Sequence, residues 1–228
     1  MKMNTNSNVY TIVYAAVMVI IVAFLLAFVS SSLKDRQDNN VRKDVKKQTL
    51  AALNIDATDA NVDATYDQVI TDNLLNGTEL TPVPSEEFKT SYNSEIKSGN
   101  YHVFVAKLEN GETKYVFPVY GAGLWGPIWG YVSVNEDKNS VYGVSFNHES
   151  ETAGLGGEIT NKKKFQEQFK TKNVLDGSGN VALTVVKNGT AQGDNQCDGI
   201  AGATLTSNGV GAMLIGSLGN YKDFLNNK

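Results

Sequence analysis

The chain has 228 residues, a formal net charge of -4 and a hydrophobic share of 41%, which allows one compact domain, or two closely packed subdomains, once a long apolar N-terminal stretch is set aside. The C-terminal part carries no strongly basic block, so a surface that tracks nucleic-acid phosphates is excluded. Cys197 is the sole cysteine, and His102 and His148 match no HExxH or facial-triad spacing, which removes disulfides, CxxC metal centres and a dedicated transition-metal site.

After a short tail over residues 1–8, the sequence from Val9 to Val29 runs without a charge. About twenty residues at ~1.5 Å each match the hydrocarbon thickness of a bilayer, so residues 9–29 predict a membrane-spanning helix. No AxA-like cleavage site follows it. Ser30, Ser31 and Ser32 lead into LKDRQDNNVRKDVKK, and an uncleaved single-pass anchor is expected. Lys34, Arg36, Arg42, Lys43, Lys46 and Lys47 follow the span, whereas only Lys2 and the amino terminus precede it. The positive-inside rule alone places the large domain in the cytoplasm.

Over residues 30–55, Val41, Val45, Leu50 and Leu53 recur at helical spacing and predict an amphipathic juxtamembrane helix. Residues 56–100 read as a helical subdomain. One helix is expected from Asp63 as N-cap through Tyr66, Val69, Ile70 and Leu74 to Gly77. Thr81-Pro82-Val83-Pro84 then breaks the chain, and Phe88, Tyr92 and Ile96 predict a third helix ending at Gly99.

From Tyr101 the period changes to two. YHVFVAKL, an Asn110-Gly111 turn and TKYVFPVY predict a hairpin; YVSVN and VYGVSFN predict two more strands. VALTVV supplies another after the helix-like NKKKFQEQFK, which carries Phe165 and Phe169 on one face. Val210, Met213, Leu214, Leu218, Tyr221 and Leu225 form the apolar stripe of a closing helix. The expected class is α+β: a transmembrane helix, then a domain over 101–228 with a largely antiparallel twisted sheet flanked by helices.

Three loops carry candidate chemistry. Asp198-Gly199-Ile200-Ala201-Gly202-Ala203-Thr204-Leu205-Thr206-Ser207-Asn208-Gly209 lies between a strand and the final helix. Its small residues let backbone approach a bulky group, and its hydroxyls sit beside a helix N-terminus, where unpaired amides favour a phosphate. On these features alone the favoured reading is a Gly-rich turn with Ser207 as N-cap. His148-Glu149-Ser150-Glu151-Thr152-Ala153-Gly154-Leu155-Gly156-Gly157 suits a backbone pressed against a flat ring, or else a solvated acidic turn. Gly121-Ala122-Gly123-Leu124-Trp125-Gly126-Pro127-Ile128-Trp129-Gly130 reads as a packed plug over the sheet or as a flavin or partner surface.

The first string resembles the flavinylation motif Asp-x-x-(Ser/Thr)-Gly-Ala-Thr of FMN-binding domains in sodium-pumping NADH:quinone oxidoreductases and the related Rnf complexes. Asp198, Gly202, Ala203 and Thr204 match it, and Ala201 replaces the usual hydroxyl residue. The second loop is similar to the family's His-x-Glu-Thr-Pro-Gly-Leu-Gly signature, with Ala153 in place of proline. GLWGPIWGY resembles the pump's C subunits more closely than the Rnf counterparts.

The resemblance implies a single-pass protein of the bacterial inner membrane with its domain on the periplasmic side, an electron-transfer subunit without a catalytic acid or base of its own. It implies covalent FMN, attached through its phosphate to Thr204 by a flavin transferase that recognises Asp198, Gly202, Ala203 and Thr204, with Thr206 the second candidate acceptor. Glu151, Thr152, Gly154, Leu155, Gly156, Trp125, Gly126, Gly202, Ala203, Leu205 and Thr206 are then the residues around the flavin. Partners are the other subunits of the oxidoreductase, with NADH handled elsewhere, and sodium as well, because the span holds no acidic or basic residue. The competing readings are an Rnf-type FMN subunit, a cofactor-free membrane-tethered binding or assembly domain, and a threonine-nucleophile hydrolase, which lacks an identifiable base.

Overall fold

In the computed structural model, which describes residues 7–227, the apolar stretch belongs to one long helix, α1 (Asn8–Ala52). Most of the expected N-terminal tail, Lys2 included, lies outside the described residues, as does Lys228. Ile12, Val19, Phe24 and Phe28 are exposed on the uncharged Val9–Val29 part of α1, and α1 is the one described helix long and apolar enough to cross a membrane. The expected juxtamembrane helix is the last part of α1, with no break at the serines. Two compact units divide at Arg42/Lys43.

The unit from Lys43 onward opens with the end of α1, which buries Val45 and Leu50, followed by the buried Leu53. Burying one such leucine contributes about 2 kcal/mol. Helix α2 (Val62–Val69) starts before Asp63 and stops at Val69, and Ile70–Asn76 is strand β1 rather than helix. Ile70 and Leu74 have helical spacing, but β1 pairs along its length with β3 (Tyr101–Lys107). On its other side Gly77, at φ +64°, turns the chain into β2 (Glu79–Pro82). Pairing on both sides outweighs the local period. The third expected helix is also shorter, α3 (Asn93–Lys97), preceded by a 3-10 turn at Ser85–Glu87 and ended at Gly99.

Strands β4 (Thr113–Ala122), β5 (Pro127–Val134) and β6 (Val141–His148) follow where strands were expected, except that β5 starts at Pro127, so Pro127–Gly130 of the expected third loop pairs with β4 as strand; the antiparallel sheet runs in the order β2-β1-β3-β4-β5-β6. Phe165 and Phe169 are buried as expected, but on a 3-10 turn (Gln166–Phe169) instead of an α-helix; the rings pack at 5.4 Å, and Phe169 meets Phe146 at 5.2 Å. Only Thr184–Val186 of VALTVV forms a strand, β7, which pairs in parallel with β8 (Gln196–Asp198) outside the main sheet. The expected single closing helix is two, α4 (Thr204–Gly219) and the short α5 (Lys222–Asn226), interrupted at Asn220-Tyr221.

Both faces of the sheet are covered, because neighbouring strand residues point to opposite sides. Phe117 packs with Val210, Leu214, Leu218 and Tyr221, whereas Val116 joins Leu50, Leu53, Val62 and Tyr66 on the other side. Ser133 Oγ donates to the Ala52 carbonyl (2.6 Å) and Trp129 Nε1 donates to Gln48 Oε1 (3.1 Å), fastening the end of α1 to β5. Lys46 reaches Asp63 (2.9 Å) and Asp67 (3.2 Å), Lys47 pairs with Asp59, and Lys43 donates to the Asp59 carbonyl (2.9 Å). At the sheet's margins, β2 ends in Pro82. On β6 the Val141 amide donates to Lys172 O (2.8 Å), Thr171 N–H donates to Val141 O (2.9 Å) and Gln166 Nε2 donates to Phe146 O (3.3 Å). Cys197 is buried, and burial, aided by Asp198 and opposed by Lys172, pushes its thiol up to about 12.

Candidate functional site

The β4–β5 connection, the loop after β6 and the start of α4 meet through one side chain, Glu151, which is 7% exposed. Trp125 N–H donates to its Oε1 (2.8 Å), and the Thr206 hydroxyl donates to its Oε2 (2.6 Å). Its own N–H donates to His148 Nδ1 (3.2 Å), and Ser150 Oγ donates to the Trp125 carbonyl (2.9 Å). Burial raises the Glu151 pKa, but the Thr206 hydroxyl, the Trp125 and Leu124 amides and the nearby His148 outweigh it and hold the carboxyl below the usual range. At neutral pH the loops are therefore joined by a carboxylate. A β-carbon at position 156 would run into Glu151 Oε2 and Thr206 Oγ1, which is why Gly156 stands there.

Around this centre the surface is apolar. From Lys43 onward the exposed large hydrophobics among the described residues are Leu124, Trp125, Leu155, Leu205 and Ile215, and four of these five belong to the three loops. Trp125 is 66% exposed and Leu205 61%, more than a side chain held only for packing needs. Gly126 lies against Ser150 Oγ, Thr152 O accepts the Leu155 (3.1 Å) and Gly157 (2.9 Å) amides, and Gly154 has φ +77°. Leu155 reaches across to Gly202.

Gly202, at φ +81°, turns the chain into Ala203, the residue before α4. The first helical bond runs from Ser207 N–H to Ala203 O (2.9 Å) and no side chain caps the helix. The amides of Thr204, Leu205 and Thr206 therefore have no partner among the described residues. Ser207 is not an N-cap: it is buried, and its Oγ accepts the Ile200 amide (2.9 Å). Thr206 is 1% exposed and committed to Glu151. Thr204 alone of the three hydroxyl residues is exposed, beside the free amides. No described side chain hydrogen-bonds its hydroxyl, so the site offers an acceptor oxygen and an anion cradle without a base.

Asp198 does not face Thr204. Its Oδ1 accepts the Thr190 and Ala191 amides, each at 2.9 Å, and its own N–H donates to Gln168 Oε1 (2.7 Å). A cleft of about 260 Å³ opens beside Thr204, lined by Lys187, Asn188, Gly199, Ser207 and Asn208 among others. A second, of about 480 Å³, runs past Gly154, Glu158, Lys164 and Asp198. Sequence reading missed Lys187 and Asn188, because strand pairing, not a motif, brings the 187–191 turn here. His102 lies elsewhere, buried against Asp72 (2.9 Å) and under Tyr92.

The family described as FMN-binding domain matches residues 123–218. The C subunit of the Na(+)-translocating NADH-quinone reductase of Haemophilus ducreyi is 31% identical over 229 residues, which cover 92% of this chain and 89% of the relative. That of Vibrio vulnificus is 31% identical over 200 residues, 78% of each chain. Among solved structures, the C subunit of the same reductase from Parabacteroides distasonis superposes with a TM-score of 0.78 at 38% identity, covering 86% of this chain and 98% of its own. The NqrC of Shewanella oneidensis gives 0.70 at 24% identity, a likeness of fold.

Proposed function

The chain belongs to the family of Na(+)-translocating NADH-quinone reductase C subunits, and we infer from this that it is a membrane-anchored electron carrier holding FMN through a phosphoester bond at Thr204. The observation that carries the attachment point is the contrast among three hydroxyls. Thr206 and Ser207 are buried and engaged, whereas Thr204 is exposed beside three unpaired helix amides. In the attachment step Thr204 Oγ1 bonds to the FMN phosphorus of FAD, the pyrophosphate bond breaks, AMP leaves and the hydroxyl gives up its proton; no electron changes hands. A flavin transferase with magnesium performs it, and Asp198, Gly202, Ala203 and Thr204 form its recognition string.

FMN supplies one-electron transfer when bound. The protein supplies retention and surroundings. Trp125, Leu155 and Leu205 provide an apolar platform, with Gly126, Thr152 and Gly154 shaping its rim. Glu151, Gly156 and Thr206 fix the platform to the helix start that carries Thr204. An exposed platform suits exchange with neighbouring subunits of the reductase, from NADH toward quinone, with the sodium path on other chains.

The domain belongs on the periplasmic side of the bacterial inner membrane. The six cations after the span argue otherwise by number, but a long domain translocates largely regardless of the charge that flanks its anchor.

The test is expression of the full chain with and without a flavin transferase, read by flavin fluorescence on denaturing gels and by intact mass. The expected result is one FMN per chain, only with the transferase and never in Thr204→Ala. A fluorescent Thr204→Ala protein would remove the assignment.

A further inference from the structure

We propose that Lys187, held in place by Asp198, is the cationic partner of the phosphate at Thr204. The inference rests on the FMN site proposed above and adds the partner for its charge. Lys187 lines the same cleft as Thr204, Ser207 and Asn208. No carboxylate lies within ion-pair range of Lys187 among the described residues, as is also true of Lys163 and Lys170, but of these three only Lys187 lines the Thr204 cleft.

The turn that presents Lys187 is fixed at several points. The Thr190 hydroxyl (2.7 Å) and amide (3.0 Å) both donate to the Lys187 carbonyl, and Asn188 Nδ2 donates to Gly199 O (2.7 Å). Asp198 completes it by accepting the Thr190 and Ala191 amides. The aspartate of the attachment string thus acts on the cleft from behind, as a positioning residue for Lys187. A phosphodiester keeps one negative charge at neutral pH, and Lys187 shares its cleft with Thr204 and the helix start that holds the free amides. The two sides of Thr204 then divide the cofactor: polar Lys187, Asn188 and Asn208 face its phosphate end, and apolar Leu155 and Leu205 its ring.

The experiment compares FMN with riboflavin, which lacks the phosphate, on the full-length chain made without transferase and held in detergent. An exposed pair of this kind is worth about 0.2–1 kcal/mol, so Lys187→Ala should weaken FMN binding roughly 1.5- to 5-fold while leaving riboflavin unchanged. Lys187→Arg should restore the preference and Lys187→Glu should reverse it, with all differences shrinking at high salt. Asp198→Ala should reproduce Lys187→Ala, and Asp198→Asn, which keeps an acceptor oxygen, should not.

A second readout uses the loaded protein, with the diester verified by mass: the phosphorus NMR resonance should move in Lys187→Ala. Equal FMN affinity in wild type and Lys187→Ala at low salt, or an unmoved resonance, overturns the proposal. An effect in Lys187→Ala without one in Asp198→Ala overturns the positioning role. The ligand comparison needs no covalent bond, so failure of attachment at Thr204 and failure of Lys187 register separately.

Discussion

The hydroxyl of Thr206 donates to Glu151 Oε2 at 2.6 Å, and both residues are buried. This bond separates two threonines two positions apart: Thr206 is spent on holding loops together, and Thr204 is left exposed. Thr206→Val removes a hydrogen bond to a charged group and should cost about 2 kcal/mol in urea unfolding. It should still accept FMN at Thr204, as intact mass would read. Loss of attachment in a folded Thr206→Val protein would make Thr206 the acceptor.

Acid should open the same junction. The Glu151 carboxyl is held below the usual range in the folded state, so the stability it contributes is fully present above the unfolded value, about 4.3, and is lost as pH falls through the lower folded value. Trp125 and Trp129 are the chain's two tryptophans, and their fluorescence should stay flat from neutral to about pH 5 and change below about pH 4. Glu151→Gln should abolish that acid step.

Gly156→Ala places a methyl against Glu151 Oε2 and Thr206 Oγ1. A destabilisation of about 1–3 kcal/mol is expected, with lower FMN loading. Thermal unfolding and flavin content per chain check both.

Cys197 should resist thiol reagents in the folded protein, because it is buried and its thiol pKa lies near 12. Alkylation followed by mass should stay slow at pH 8 until denaturant is added. Rapid labelling of the native chain would show that the core around Phe169 and β8 opens.

A reporter active only outside the cytoplasm, fused at the C-terminus, should be active. An intact but silent fusion would vindicate the count of cations after the span.

Much of the fold was legible where one element's own period sufficed. The β3–β4 hairpin announces itself through alternation around Asn110-Gly111, and the stripe from Val210 to Leu225 is buried as its spacing demands. Legibility failed where a distant partner decided. Ile70–Asn76 has helical spacing but is gripped between β2 and β3, and VALTVV keeps only the three residues that β8 can pair. The site follows the same rule. The three loops were visible as strings, and Ser207 read as a cap because it stands near a helix start. Its burial against the Ile200 amide depends on how the preceding turn folds. Lys187 carried no signal, since only the register of β7 and β8 puts its turn beside Thr204.

Both margins of the six-stranded sheet are guarded: one by a four-residue strand ending in a residue that has no N–H, the other by backbone and glutamine contacts from the segment 166–172. A neighbouring chain therefore finds little exposed ladder on which to add a strand. Assembly with other proteins is left to side chains and loop tips, contacts that can form and release without rewriting the backbone pairing of either partner.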